Sequence, residues 1–374
     1  MKTVIIRNAT IYTGEQVLNQ GSLIISGGKI QGLFPDEPVP VQDCHVIDAT
    51  GLLAIPGLID LHFHGYGEFA ITETTALSRL LVSQGVTGFL PTLMTGNPEF
   101  VISALHLLAA THGAGDGARI LGINLEGPFL NPEQSGAQPR HCLMKPDPRE
   151  ASRLLEAGGN MVRLMTIAPE LPGALDIIEF LHLNGVIPAA GHIQATCAEM
   201  LAAEDRGLCH VTHLFNRSGS FHHREPGLIG WALTRGQVTV ELIPEHHHLH
   251  PLAVELTLRC KSPDRVILVS DNVPHNLRDC VLSENGAVMA PDRTLLGSAQ
   301  SLLQGVFWLV DTLGIDLGFG LRLASLNPAR LLGIENRKGS LEPGKDADLV
   351  LLRGRTPVLT MVEGKMVYDQ LSAR

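Results

Sequence analysis

The chain has 374 residues, 44% of them hydrophobic, with a formal net charge of -10 and 17 histidines. That length and apolar content supply a core for one large α/β domain with a smaller one attached. An acidic balance with no block of Lys or Arg disfavours a nucleic-acid or anionic-membrane partner, while leaving room for a small anion held by one or two local cations. The opening MKTVIIRNATIY has neither the apolar core nor the cleavage site of a secretory signal, and no apolar run reaches bilayer length, so a cytoplasmic protein is expected. The cysteines, Cys44, Cys142, Cys197, Cys209, Cys260 and Cys280, form no CxxC pair and are read as free thiols.

The first fifty or so residues read as short strands, TVIIRNATIYT, SLIISGGKIQGL and HVIDATGLLAIPG, with Gly27-Gly28 as a hairpin turn. Near the other end KGSLEPGKDADLVLLRG and PVLTMVEGKMVYD return to the same style. A lone hairpin is not stable, so the two ends are expected to build one small β-sandwich domain from residues 1–54 and 335–374, rather than two unrelated surface hairpins.

Between them, apolar runs alternate with helical stretches. The runs are GLIDLHFH, GVTGFLPTLMT, RILGINLEGPF, MVRLMTIAPE, GVIPAAGH, CHVTHLFN, VTVELIPE and DRVILVSDN, and the helical stretches include EFVISALHLLAA, LPGALDIIEFLHLN and TCAEMLAAEDRG. Near-continuous apolar strands separated by helices imply a parallel sheet covered on both faces, and about eight such units fit a (β/α)8 TIM-type barrel over residues 55–334. The rival, an open doubly wound sheet, lacks the GxGxxG turn that its dinucleotide-binding version needs.

In a barrel, residues just past the C-terminal strand ends share one mouth. Here they are His62 and His64 from the first strand, Glu126 from the third, His192 from the fifth, His213 from the sixth and Asp271 from the eighth. A single histidine ending a strand is ordinarily structural. Several imidazoles and carboxylates in one apolar-walled mouth are costly unless a cation neutralises the acids and accepts the nitrogen lone pairs. The first strand ends in HxH because alternate residues share a face, which lets His62 and His64 converge on one ion while Gly65 turns the backbone away. Mixed nitrogen and oxygen ligation suits zinc, and also iron, manganese or cobalt.

These residues resemble the amidohydrolase superfamily, and within it the N-acetylglucosamine-6-phosphate deacetylase family. The resemblance runs in order through PGLIDLHFHG, GVTGFLPT, NLEGPFLNP, APE, THLFN, HHREPGLIG, LVSDN, TLLGS, LNPARLLG and KGSLEPGKDADLV. Many superfamily members bridge two metals with a carboxylated lysine at the fourth strand, but here that strand ends MTIAPE, and Lys2, Lys29, Lys145, Lys261, Lys338, Lys345 and Lys365 all lie away from strand ends. That disfavours a cyclic-amide hydrolase, and the retained ligand set disfavours a barrel that kept the fold and lost its chemistry.

The resemblance implies a metal-dependent deacetylase of an amino-sugar phosphate. Glu126, His192 and His213 would hold one divalent ion, and HxH with Asp271 nearby would allow a second. Asp271 would take a proton from water made acidic by the metal and pass it to the departing amine, a capping role being its structural alternative. Arg224 falls where the family binds the sugar phosphate, although an ion pair with Glu225 is open to it. Ala137, Asn216, His248, Leu295, Leu296 and Gly297 fall where the family contacts the amino sugar, and a homodimer with the partner near the phosphate is implied.

Three stretches depart from the family pattern, all in the expected pocket. Gln138 stands where a histidine is usual, Arg217 brings an extra cation, and Glu245-His246-His247 precedes His248 in place of DGx. That last run reads as a polar loop before an extra metal site or a modified sugar contact. The departures leave open a related substrate, such as N-acetylgalactosamine 6-phosphate or another N-acyl compound.

Overall fold

The computed structural model describes residues 2–14, 16–35, 43–111, 115–276, 279–284 and 286–372, which leaves short pieces of both expected domains outside the description. Eight strands run parallel in chain order: β1 (Leu58–Gly67), β2 (Val86–Met94), β3 (Ile123–Glu126), β4 (Val162–Ile167), β5 (Ile187–Ala190), β6 (His210–Val211), β7 (Thr239–Leu242) and β8 (Val266–Leu268). The segment Asn272–Pro274, which continues from β8, pairs in parallel with β1 and brings the ring back to its first strand. All eight residues from Leu58 to Gly65 are buried, as a strand covered on both faces requires.

A helix follows every strand: Thr74–Ser83, Pro98–Ala110, Pro148–Gly158, Ala174–Leu183, Cys197–Glu204, Gly227–Thr234, Pro251–Cys260 and Leu302–Leu313. Local chemistry sets where several of them begin. Asn97 and Asp147 cap helices whose first residue is proline, and Thr196 with Glu199 and Ser301 with Gln304 form capping boxes. The expected LPGALDIIEFLHLN helix starts only at Ala174, because Gly173 takes a left-handed conformation ahead of it. The largest hydrophobic cluster joins barrel strands to these helices, through residues such as Phe89, Leu105, Ile177 and Val254.

The strands of the two ends share one sheet. Leu349–Arg353 pairs antiparallel with Leu53–Pro56, which runs parallel to the second half of Thr3–Tyr12. The HVIDATGLLAIPG stretch is two strands rather than one: Cys44–Asp48 pairs with the first half of Thr3–Tyr12, and Leu53–Pro56 with the second. Gly27 and Gly28, both with positive φ, close the hairpin between Val17–Ser26 and Lys29–Phe34. This sheet has its own cluster, including Ile6, Ile11, Leu23, Leu349 and Met361, and Thr360 ties it to the barrel by donating to Val82 O at 2.7 Å.

Candidate metal centre and active site

The barrel places the six expected ligands at one end. His62 and His64 lie in β1, Glu126 is the last residue of β3, His192 and His213 lie two residues beyond β5 and β6, and Asp271 lies three beyond β8. The last three have φ of 54°, 32° and 48°, the left-handed region that costs a residue with a Cβ roughly 1–3 kcal/mol. Neighbours hold each turn. Asn131 N donates to His192 O at 3.0 Å, His213 N donates to Glu241 Oε2 at 3.2 Å, and Asp271 N donates to His62 O at 3.0 Å.

The ligands fall into two adjoining groups, His62 with His64 and Asp271, and Glu126 with His192 and His213, each with its ligand atoms within 4.8 Å of one another. Glu126 joins them. Its Oε1 is 2.9 Å from His192 Nε2 and 3.1 Å from His213 Nε2, while its Oε2 is 3.4 Å from His64 Nε2. Asp271 Oδ1 is 3.5 Å from His62 Nε2 and 3.4 Å from His64 Nε2.

The outer partners fix three of the four imidazoles. His64 Nδ1 donates to Thr92 O at 3.0 Å and His192 Nδ1 to Gln134 O at 2.8 Å, since a carbonyl only accepts. His62 Nδ1 donates to the Glu241 carboxylate at 3.1 Å. Their Nε2 lone pairs are therefore the atoms that converge, with His62 and His64 3.0 Å apart and His192 3.2 Å from His213. Two lone pairs at such a distance repel unless a cation lies between them. The donor set fits a divalent metal, with outer hydrogen bonds of the kind that orient metal-binding histidines.

The electrostatics agree. Burial by itself would raise the Glu126 and Asp271 carboxyls, but the facing histidines outweigh it and hold both below the usual carboxylate range. Burial alone would lower His62, yet the Asp271, Glu241 and Glu126 carboxylates around it lift it to about 10.

Sequence reasoning missed Glu241 and His210. Glu241, fully buried in β7, accepts from His62 Nδ1, from His213 N and, at 3.0 Å, from His210 Nε2, so one carboxylate braces a residue of each ligand group. These bonds outweigh its burial and depress its carboxyl far below the usual range. The signal was an acid in the middle of the otherwise apolar run VTVELI.

Above the ligands opens a cavity of about 440 Å³, walled in part by Ala137, Gln138, Asn216, Arg217, His248, Leu295 and Leu296. Five of the six expected sugar-contact residues, with Gln138 and Arg217, thus meet around the centre. Gln138 is less free than expected: its amide nitrogen donates to Glu126 Oε2 at 2.5 Å and its oxygen accepts from Thr95 N at 2.9 Å, so it clamps a ligand carboxylate. Gly297 lies behind the wall, where a Cβ would come within 2.6 Å of Asp271 O.

Arg224 is off this wall. It faces His223 Nε2 at 3.1 Å, and Glu225 bonds Cys197 N instead of pairing with it. Of the Glu245–His248 run, His246 and His247 are exposed, as a polar loop should be. Glu245 is not: it is 1% exposed and its carboxylate accepts from His247 N, His248 N and His248 Nδ1.

A ring of parallel strands with metal-ligating side chains at its mouth is the architecture of a metal-dependent hydrolase, and the chain belongs to the amidohydrolase family, whose sequence profile matches residues 53–367. It is 32% identical over 386 residues to the N-acetylglucosamine-6-phosphate deacetylase of Bacillus subtilis (strain 168), covering 98% of both chains. It is also 32% identical over 365 residues to the N-acetylgalactosamine-6-phosphate deacetylase of Escherichia coli O157:H7, covering 94% of this chain and 95% of that one. The structure of a point mutant of the Mycobacterium smegmatis N-acetyl-D-glucosamine-6-phosphate deacetylase, in complex with N-acetyl-D-glucosamine-6-phosphate, superposes with a TM-score of 0.90 at 30% identity, covering 99% of this chain and 100% of that one. Within the amidohydrolases the chain stands in the N-acetylglucosamine-6-phosphate deacetylase family. Among the described residues, no helix is long and apolar enough to cross a membrane.

Proposed function

We propose that the protein removes the acetyl group from N-acetylglucosamine 6-phosphate, giving glucosamine 6-phosphate and acetate. The observation that carries this is the pair of ligand groups joined through Glu126, with the ionised Asp271 at the edge of a cavity large enough for an amino sugar. Glu126, His192 and His213 would hold one ion, and His62, His64 and Asp271 would give room for a second. Zinc is assigned first, with iron, manganese and cobalt accepted by the same donors. When bound, a divalent ion supplies Lewis acidity, letting water ionise near neutral pH and drawing electron density from a carbonyl oxygen.

Asp271 then takes a proton from the attacking water and returns it to the departing amine nitrogen. Its ionised state at neutral pH suits it to the first step, and its place among His62, His64 and His248 to the second. Ala137, Asn216, His248, Leu295 and Leu296 contact the sugar. Among the described wall residues Arg217 is the single Lys or Arg, and beside it Ser218 Oγ is buried without a protein partner, a combination that suits the anionic end. Arg224 binds the sugar phosphate, in a homodimer whose partner subunit lies near that phosphate. The enzyme works in the cytoplasm, residues 55–334 forming the catalytic barrel and residues 1–54 with 335–374 the supporting unit.

Acetate release from phosphorylated and unphosphorylated N-acetylhexosamines, with zinc or iron supplied, tests the proposal. Fastest turnover of the phosphorylated gluco sugar supports it, and no preference for phosphate overturns it. Undiminished turnover by Arg224→Ala removes that residue from the site. N-Acetylgalactosamine 6-phosphate is the second reading, favoured by the equal 32% identity to a deacetylase of each sugar and by the departures at Gln138, Arg217 and Glu245–His247; faster turnover of that epimer selects it.

A further inference from the structure

We infer that Glu245 is a positioning residue for the deacetylation, acting through His248 by fixing which ring nitrogen faces the substrate. The inference rests on the reading of His248 as a substrate contact. Glu245 Oε1 accepts His248 Nδ1 and also His248 N at 2.7 Å, and its Oε2 accepts His247 N at 2.9 Å. A carboxylate has no proton to give, so Nδ1 carries the hydrogen and Nε2 is left to the cavity, where it lies 3.9 Å from Asp271 Oδ2. Glu245 itself does not line that cavity.

Free histidine in water is not bound to this arrangement, so the turn spends a buried carboxylate on holding it. In the neutral ring Nε2 is then an acceptor for a hydroxyl or N–H of the sugar next to the reacting amide, which is a chemistry that rotation of the ring or transfer of its proton to Nε2 would abolish. The same carboxylate also caps the turn from residue 245 to residue 248, and that capping is the purely structural role from which the positioning role has to be separated.

Glutamine separates the two in part. His248 N and Nδ1 both donate to the Oε1 position, so the amide of Glu245→Gln settles with its oxygen there and keeps both bonds, giving up only the one from His247 N. Alanine removes all of them.

The test is a double-mutant cycle on the metal-loaded enzyme, measuring kcat and KM with the phosphorylated N-acetylhexosamine, together with the ring-nitrogen NMR shifts of His248. Glu245→Ala is expected to lower kcat/KM about tenfold in the native background and to cost nothing further in a His248→Ala background. Glu245→Gln should recover most of the loss, and the His248 signals should change from the Nδ1–H to the Nε2–H form only in Glu245→Ala. An equal loss in both backgrounds, or unchanged His248 signals in Glu245→Ala, overturns the inference while leaving His248 in the site. An inert His248→Ala overturns the reading of His248 and the inference with it. If Glu245→Ala does not fold, Glu245→Gln decides: a loss as large as that of His248→Ala is the overturning result.

Discussion

Glu241→Gln is the sharpest probe of how the centre is held. Glu241 receives three donors, His62 Nδ1 at 3.1 Å, His210 Nε2 at 3.0 Å and His213 N at 3.2 Å, the first and third at Oε2. A glutamine oxygen in the Oε2 position keeps two of these bonds. The amide nitrogen then faces His210, which can exchange tautomers because its Nδ1 partner, 2.7 Å away, is the hydroxyl of Thr239. The fold is therefore retained while the charge is lost. A hydrogen bond to a charged partner contributes about 1.5–3 kcal/mol against about 1 for a neutral one, so His62 loses roughly 0.5–2 kcal/mol of support as a ligand. Outer-partner changes of this kind weaken metal binding about 10- to 100-fold. Competition with a coloured chelator measures the affinity, and activity should return at saturating metal. An affinity within about threefold of the native protein's, against that 10- to 100-fold expectation, would refute the assignment of Glu241 as the brace of the centre.

Metal binding should release protons. His62 is raised to about 10 in the metal-free protein, so its proton must leave when an ion arrives, and affinity should climb with pH up to that value. By the same shift, the stability His62 gives the metal-free protein is fully present below its ordinary value near 6.5 and is lost as pH rises through about 10. Calorimetry in buffers of different ionisation enthalpy checks the release, and identical heats would contradict it. Gly297→Ala should displace Asp271, whose carbonyl oxygen lies 2.6 Å from the added methyl, and cut kcat about 100-fold with the fold intact by circular dichroism; native kcat would show that the Asp271 backbone tolerates the shift.

Much of the fold was legible because each level of the sequence agrees with the next. Strands covered on both faces read as continuous apolar runs, and Asn97-Pro98, Asp147-Pro148 and Thr196 with Glu199 mark helix starts where the chain begins them. The six candidate ligands stood out only as a set, because several imidazoles and carboxylates gathered in one apolar-walled mouth are costly without a cation. Glu241 and His210 did not stand out, since a buried acid inside a strand declares its partner only when β6 and β7 lie side by side and bring residues 31 positions apart into contact. Glu245 was misread with its exposed neighbours, because an acid beside three histidines looks like a solvated run until the turn folds its carboxylate inward. Gln138 was read for its resemblance in position rather than for the carboxylate it clamps.

Several features of the mouth are unfavourable on their own: three left-handed turns, imidazole lone pairs that face one another, and the buried carboxylates of Glu126, Asp271 and Glu241. A bound ion relieves the last two together, so the centre should contribute to the stability of the whole barrel. At a free concentration 1,000 times its Kd an ion adds about 4 kcal/mol to the folded state, enough to move Tm by several degrees even for a chain of this size. Chelation should lower the Tm of the native protein accordingly. It should do much less to His192→Ala, in which the Glu126 group has lost a ligand. If scanning calorimetry gives the native protein the same Tm with and without chelator while metal analysis confirms removal, the strain at the mouth is carried by the surrounding hydrogen bonds alone, and the centre serves chemistry without supporting the fold.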